Sequence, residues 1–442
     1  MSKDSSSQQF RSNGKLYTFQ ATLRSLDDEV QVPLDNAALL SFEYESELNG
    51  LVLHGSLEYE DAYGNVDKLL EKQGAYLDVV LVEEEQEFDG ALTIESVSDV
   101  NRFCGTFLVE SIGITDRRAE RISYRLELVS SNAYRCQQTV DYSTYSNGQQ
   151  TVFDILKACL EEAGIETDRD SFDSVKTSVR LDYITNGNDC VLTIAKYLMS
   201  KLYYYSEKDD SLKFFFWNET TSKAQLFDVK SKDSATGSYS VILSLLKSRR
   251  ESMTEEEPAK LATITRWPAS ANLKAMFSAQ VADYSYEDNK FETRSVTSQA
   301  LANYFNATYD SETRLLPKQQ PVDKQSGLNC LRRGAYWNND LNWYGEMVRS
   351  FLKSNALLVE TSGEILRKPG AFMNVVVDRD VSEIASEDPE RLEDMMTRYR
   401  GLEGAWFVSR VHHLVCPREN RYRQWLALAR NYTVNLENKE GS

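Results

Sequence analysis

The sequence predicts a mainly β chain with α/β parts, and three observations carry that prediction. Up to residue 138, short alternating apolar runs and turn residues recur at close spacing, as in a barrel or sandwich. At about residue 148 the apolar period changes from two to that of a helix. From residue 356 the strand pattern returns. A length of 442 residues suits roughly three domains at about 150 residues each. With 41% hydrophobic and 27% charged residues, the composition is that of an ordinary globular protein and argues against wholesale disorder.

Met1 to Gln9 is polar and Ser-rich with no apolar core, so it reads as a flexible start (residues 1–11) and not a signal peptide. Strands follow. Phe42 and Tyr44 alternate, then Leu51 and Leu53, then Leu57 and Tyr59, with Gly64-Asn65 as turn chemistry. Tyr76 to Val82 is an apolar run ended by the acidic block Glu83-Glu84-Glu85-Gln86-Glu87, expected in a loop or on a solvated edge. Gly105 to Glu110 and Tyr124 to Val129 are further strands, the second with Tyr124, Leu126 and Leu128 on one face and Arg125 and Glu127 on the other. Asp116 to Arg121 is the expected hairpin tip between them.

Thr151 and Asp154 have the spacing of a capping box. Behind them Ile155, Cys159 and Ala163 share a helix face, as do Val152, Leu156 and Leu160, and Gly164 is the expected stop. A second helix starts near Asn188-Asp189, with the stripe Val191, Ala195, Leu198 and Leu202. Tyr203-Tyr204-Tyr205, the polar turn Lys208 to Ser211 and Leu212 to Trp217 read as an aromatic hairpin. Residues 218–270 read as strands and loops, with an acidic loop at Thr254 to Pro258 and a strand at Ala262 to Trp267. The stretch from about 270 to 355 reads as an insertion, with helices near Ser295 to Phe305 and Tyr344 to Ser354. Ala356 to Glu360, Phe372 to Val377 after a Lys368-Pro369-Gly370 turn, Ala405 to Leu414 and Tyr422 to Leu428 are the last strands. Glu383 to Arg400 is a polar loop or short helix, and residues 431–442 form a polar flexible tail.

The formal charge is −18, from 68 acidic and 50 basic residues. Such a surface disfavours nucleic-acid binding and adhesion to anionic membranes, yet suits a wall past which DNA slides without sticking. No apolar run approaches the roughly 18 residues of a membrane helix. Met395 to Arg430 is locally basic, with seven Arg and two Glu, which fits either a dock for an acidic partner or a solvated strand face. The six cysteines are scattered and no C-x-x-C occurs, so they read as buried thiols.

Chemistry-bearing motifs are missing. The sequence has no P-loop, G-x-G-x-x-G, G-x-S-x-G or H-E-x-x-H. Of the three histidines, His412 and His413 are neighbours on a strand and face opposite ways, so they cannot easily share a metal, and His413 reads as a packed, hydrogen-bonded residue. His54 has no distinctive setting. Asp378, Asp380 and Glu383 lack the glycine and spacing of a calcium loop. The aromatics at 203–205 and 214–216 could stack sugars or bases, but alternation in a hairpin more simply makes them core or subunit interface. No catalytic, cofactor-binding or metal-binding residue is assigned.

Two segments carry a family resemblance. Leu181 to Trp217 joins the short strand Leu181-Asp182-Tyr183, the Asn188-Asp189 cap, the helix Val191 to Leu202 and the aromatic hairpin. Glu364 to Arg430 has the Pro369-Gly370 turn into Val375-Val376-Val377, then Gly404-Ala405-Trp406-Phe407-Val408, Val411 and His413, and a final strand with Tyr422, Leu426, Leu428 and Arg430. Together they resemble the central hub proteins of phage tail baseplates, a family shared with the base of type VI secretion spikes. Relatives often have a glycine where Lys201-Leu202 stands, and no needle repeat follows residue 430, so the puncturing part is expected on a separate chain.

The resemblance implies two tube-like β-barrel domains plus inserted α/β domains. The first barrel would span 12–138, an α/β domain 139–211, the second barrel 212–267 with 355–430, and an inserted domain 268–354. It further implies a homotrimeric ring that adapts a hexameric tail tube to a trimeric spike, contacts other baseplate proteins and lets DNA or effector pass its channel. Such a hub would sit in the virion tail baseplate, assembled in the host cytoplasm, with no cofactor and no catalysis. A carboxylate-dependent glycan hydrolase and a multidomain carbohydrate-binding protein are the alternative readings.

Overall fold

Strand alternation places one face of each N-terminal strand in a shared core. The computed structural model describes residues 8–35, 37–47, 54–64, 66, 69, 74–84, 102–118, 121–140, 144–145, 151–173, 183–184, 189–199, 203–206, 211–219, 224–228, 240–243, 261–266, 279–285, 290–296, 314–315, 330–333, 356–365, 367–377, 402–429 and 432–433. The N-terminal strands are β1 (Gln8–Ser12), β2 (Lys15–Ser25), β3 (Gln31–Pro33), β4 (Leu39–Glu47), β5 (His54–Asp61), β6 (Ala75–Glu84), β7 (Arg102–Arg118) and β8 (Arg121–Ser130). Tyr17, Phe19, Ala21 and Leu23 of β2 point inward, as do Phe42 and Tyr44 of β4 and Tyr124, Leu126 and Leu128 of β8.

The middle of the chain holds α1 (Ser131–Gln138), β9 (Thr144–Tyr145), α2 (Val152–Glu162), α3 (Arg169–Asp173), β10 (Tyr183–Ile184), α4 (Val191–Met199), β11 (Tyr203–Ser206), β12 (Ser211–Glu219) and β13 (Ala224–Asp228). The capping box of α2 forms as the sequence predicts: the Asp154 amide donates to Thr151 Oγ1 at 3.2 Å, and the Thr151 amide donates to Asp154 Oδ2 at 2.9 Å. Gly164 ends the turn with φ +70°. Both predicted faces of α2 are buried, against Val191, Ala195 and Leu198 of α4.

Then follow β14 (Ser240–Leu243), β15 (Leu261–Arg266), β16 (Ala279–Ser285), β17 (Lys290–Val296), β18 (Arg314–Leu315), β19 (Cys330–Arg333), β20 (Ala356–Ser362), β21 (Phe372–Val377), β22 (Gly404–Cys416), β23 (Arg421–Ala429) and β24 (Tyr432–Thr433). The main sheet runs β1-β2-β6-β7-β8-β5-β4-β22-β21-β14-β15-β20-β23, with β3 on β2. It curls, and its C-terminal end returns on itself because β23 also pairs with β22. Most pairs are antiparallel, but β14 lies parallel to both β15 and β21.

Several local expectations are corrected. Gln8 to Arg11, expected to be flexible, form with Ser12 a strand paired with β2, because Asn13-Gly14 (φ +53° and +79°) makes a two-residue turn between them. Of the acidic block expected in a loop or on a solvated edge, Glu83 and Glu84 lie within β6, paired with β2 and beyond the last β7 pair at Val82, and Lys15 Nζ meets Glu83 Oε1 at 2.7 Å. Asp116–Arg118 is strand, so the β7–β8 tip is shorter than expected. Ser131–Gln138 is a helix, begun by Ser130, whose side chain accepts from the Ala133 amide. Ser295 and Val296 belong to β17, not a helix. β12 and β13 join β11 in a separate sheet, and Ala224 and Leu226 pack with the α2–α4 core instead of the C-terminal strands. Leu51, Leu53, Asn65, Glu85 to Glu87, the acidic loop at 254–258, Tyr344 to Ser354, Asp378, Asp380 and 383–400 lie outside the described residues. Among the described residues, no helix is long and apolar enough to cross a membrane.

Candidate functional site at the seam of the sheet

The antiparallel β4–β22 ladder, from Phe42↔Val415 to Glu47↔Arg410, joins the N-terminal strands to the C-terminal ones. A second junction lies at the other end of the N-terminal strands, and side chains make it. The Arg11 amide donates to Asn420 Oδ1 at 3.4 Å, and the Tyr422 amide donates to Ser12 Oγ at 2.9 Å. Asn420 reaches this place from the left-handed conformation (φ +51°) at the end of a 3-10 turn, Pro417–Glu419.

Gly363 sets the packing of this seam. Its amide donates to the Tyr422 carbonyl at 2.9 Å, and its carbonyl accepts from the Tyr17 hydroxyl at 3.1 Å. The Tyr422 ring lies so close that a Cβ on residue 363 would stand 2.1 Å from Tyr422 Cγ. Tyr17 meets Tyr422 edge-on, with ring centres 5.2 Å apart.

Behind these rings lies a buried polar network. His413, Gln424 and Arg367 are 2%, 0% and 3% exposed. His413 Nδ1 is 2.8 Å from the Tyr422 hydroxyl and 3.0 Å from Gln424 Nε2. The same Gln424 nitrogen donates to the Glu364 carbonyl at 2.6 Å. Arg367 Nη1 donates to Gln424 Oε1 at 3.1 Å and to the Ser362 carbonyl at 2.6 Å, and Nη2 pairs with Glu364 Oε2 at 3.1 Å. Tyr44 stacks on the imidazole at 4.1 Å, with Phe103 stacked on Tyr44 at 4.2 Å.

Burial sets the electrostatics. It drives His413 well below the usual histidine range, with His412 and Arg367 adding repulsion. It pushes the hydroxyls of Tyr17, Tyr44 and Tyr422 far above theirs, so all three stay protonated. The Tyr422 hydroxyl faces His413 Nδ1 and the Tyr17 hydroxyl donates to the Gly363 carbonyl, which suits a joint. Among the described residues there is no cluster of three His, Cys, Asp or Glu that could hold a metal.

The outward faces of the same strands carry an ionic ladder. Glu60 takes Arg121 and Arg418, each at 3.3 Å, and Arg125 takes Glu58 at 3.2 Å. Arg410 meets Glu45 at 3.5 Å, Arg423 meets Glu360 at 2.6 Å, and His412 meets Glu43 at 3.3 Å. The basic C-terminal segment therefore has acidic partners inside its own chain. His412 and His413 face opposite ways, as alternation requires, while His54 sits exposed at the start of β5. The aromatic hairpin forms with Tyr203↔Phe214 in register, its side chains lying outside the described residues.

Sequence reasoning passed over Gly363, Arg367 and Gln424. One signal was available: Tyr422, Gln424, Leu426 and Leu428 share a strand face, and a glutamine among inward apolar residues calls for a buried partner.

No protein-family model matches the chain, and no curated protein matches it. Among solved structures, the tail protein from Neisseria meningitidis MC58 shares the fold, with a TM-score of 0.51 at 9% identity over 93% of this chain and 97% of that one. The 43 kDa tail protein of prophage MuSo2 from Shewanella oneidensis aligns over 93% and 98% at 11% identity, with a TM-score of 0.48. The prophage tail protein gp18 from Listeria monocytogenes EGD-e aligns over 93% and 95% at 10% identity, with a TM-score of 0.43. The resemblance carried by residues 181–217 and 364–430 is thus met at the level of fold.

Proposed function

We propose that the chain is a structural hub of a phage tail baseplate or related injection machine. The observation that carries this reading is the fold shared with the Neisseria tail protein over nearly the whole of both chains. In the proposed assembly three copies close a ring by head-to-tail contacts, as rotational symmetry requires. Each copy supplies two tube-like barrel units: the N-terminal strands through β8, closed by the seam, and the circuit of β14, β15 and β20–β23. Six such units present a six-fold platform to a hexameric tail tube, while the other face holds a trimeric spike and touches other baseplate proteins. The middle helices with β11–β13 form an inserted α/β unit, and the segment 268–354 a further insertion.

This hub makes protein contacts and performs no catalysis. It takes no cofactor, and it acts in the virion tail baseplate after assembly in the host cytoplasm. The charge of −18 per chain lets a central channel repel passing DNA instead of binding it. Light scattering on the full chain at micromolar and raised concentration, alone and with tail tube and spike proteins, tests the reading. A mass of three chains, alone or with those partners, is expected. A monomer under every one of these conditions overturns the ring.

A further inference from the structure

We propose that the His413 network is an acid-operated clasp: a proton on His413 Nδ1 parts the inward face of β23 from β1, β2 and β4. The argument rests on the direction of its hydrogen bonds. A guanidinium only donates, so Gln424 Oε1 must accept from Arg367. Gln424 Nε2 is thereby turned toward His413 Nδ1 and the Glu364 carbonyl, and it donates to both. Nδ1 therefore accepts, and the neutral imidazole carries its proton on Nε2.

A proton arriving from solvent forms a new N–H bond at Nδ1, facing the Gln424 amide N–H at 3.0 Å. The Tyr422 hydroxyl can rotate to accept it. Gln424 cannot turn over, because its oxygen is held by Arg367. The new cation also sits in a closed, aromatic setting. Tyr44 of β4 covers one ring face, Tyr422 of β23 stands at Nδ1, and Tyr17 of β2 lies against Tyr422. The charged groups around it are Arg367 and Glu364 on the loop after β20, Glu83 of β6 and the adjacent His412, which meets Glu43 on the outer face. Glu364 is already paired with Arg367 and Glu83 with Lys15, so each nearby carboxylate already has its own cation and neither is given over to the new charge. Opening the seam lets water do so.

The sign follows from the held-down basicity of His413. The unfolded or opened chain takes the proton first, near the ordinary value of 6.5. The clasp is therefore fully closed above that pH and weakens as the pH falls below it.

The test combines amide hydrogen exchange on the full chain at pH 7 and about pH 5 with nitrogen-15 spectra of its histidines. Segments 8–25 and 404–429 are expected to lose protection about tenfold at the lower pH, after correction for intrinsic rates, with 151–173 unchanged. His413→Gln, whose carbonyl can accept both hydrogen bonds, should remove that pH dependence. Equal acid loosening in the variant, or loosening that includes 151–173, overturns the clasp. Should the variant not fold, the histidine spectrum of the unaltered chain decides. An unprotonated Nδ1 at pH 7 that titrates together with the exchange supports the clasp, and a protonated Nδ1, or a titration apart from the exchange, refutes it.

Discussion

The two ends of the main sheet solve the problem of closure differently. At the C-terminal end, backbone ladders run in a circuit, and among the described residues the core of Leu357, Val359, Met373, Val375, Trp406, Val411, Leu426 and Leu428 comes from residues after 260. At the N-terminal end the ladder stops at β1. Its core of Phe19, Phe42, Leu57, Leu77, Phe107 and Leu126 also contains Ile365, Val415 and Tyr422 from the far end of the sequence. One end returns on itself through its own backbone, and the other is tied to the C-terminal strands by borrowed side chains. A ladder satisfies every N–H and C=O along an edge, whereas a side-chain seam satisfies a few and relies on packing for the rest.

The first way to break the comparison is to cut the chain. Residues 1–138 alone lack Ile365, Val415 and Tyr422 and leave the β4 edge without β22. They should show no cooperative thermal unfolding, and residues 139–442 added in trans should restore it. A fragment that melts cooperatively by itself would make the borrowed residues dispensable.

Next in size is Gly363→Ala. The added methyl would overlap the Tyr422 ring, so either the ring or the loop after β20 must move. The expected cost is about 3 kcal/mol, the upper range for overpacking a closed core, read as a lower midpoint in denaturant unfolding. A change within error would mean that the seam is softer than its contacts suggest. Tyr422→Phe keeps the ring packing on Gly363 and Tyr17 and removes the hydroxyl that faces His413. It should cost about 1 kcal/mol, and it should shift the His413 proton resonances, which a purely packing role for Tyr422 would leave in place.

The strands were legible because alternation reports burial directly: Tyr124, Leu126 and Leu128 face inward as read, and Phe372–Val377 is strand β21 over its full predicted length. The capping box at Thr151 and Asp154 was legible because its partners are three residues apart. The seam was not. Ser12 meets Tyr422 across 410 positions, and Tyr17 meets Gly363 across 346, so no local pattern announces either contact. The basic run from Met395 to Arg430 stayed open between a dock and a solvated strand face for the same reason. Its counter-charges, Glu45, Glu60 and Glu360, lie on strands that are distant in sequence and adjacent only in the folded sheet. Asn13-Gly14 was a local signal overlooked inside a polar N-terminus.

The ionic ladder gives the smallest effect and sharpens the comparison most. Arg410 reaches from β22 to Glu45 of β4 at 3.5 Å, with both side chains more than a third exposed. Exposed pairs of this kind gain little, because water and salt screen them and two long side chains must be held still. Arg410→Ala should therefore cost no more than about 0.5 kcal/mol, and less as salt is raised. The backbone ladder already fixes β22 against β4 in six register pairs, so the salt bridge decorates a junction made by other means. A larger loss, insensitive to salt, would move the weight of the junction from the buried face to the outer one. The two ends of the sheet would then differ in core composition alone, and not in how they are held shut.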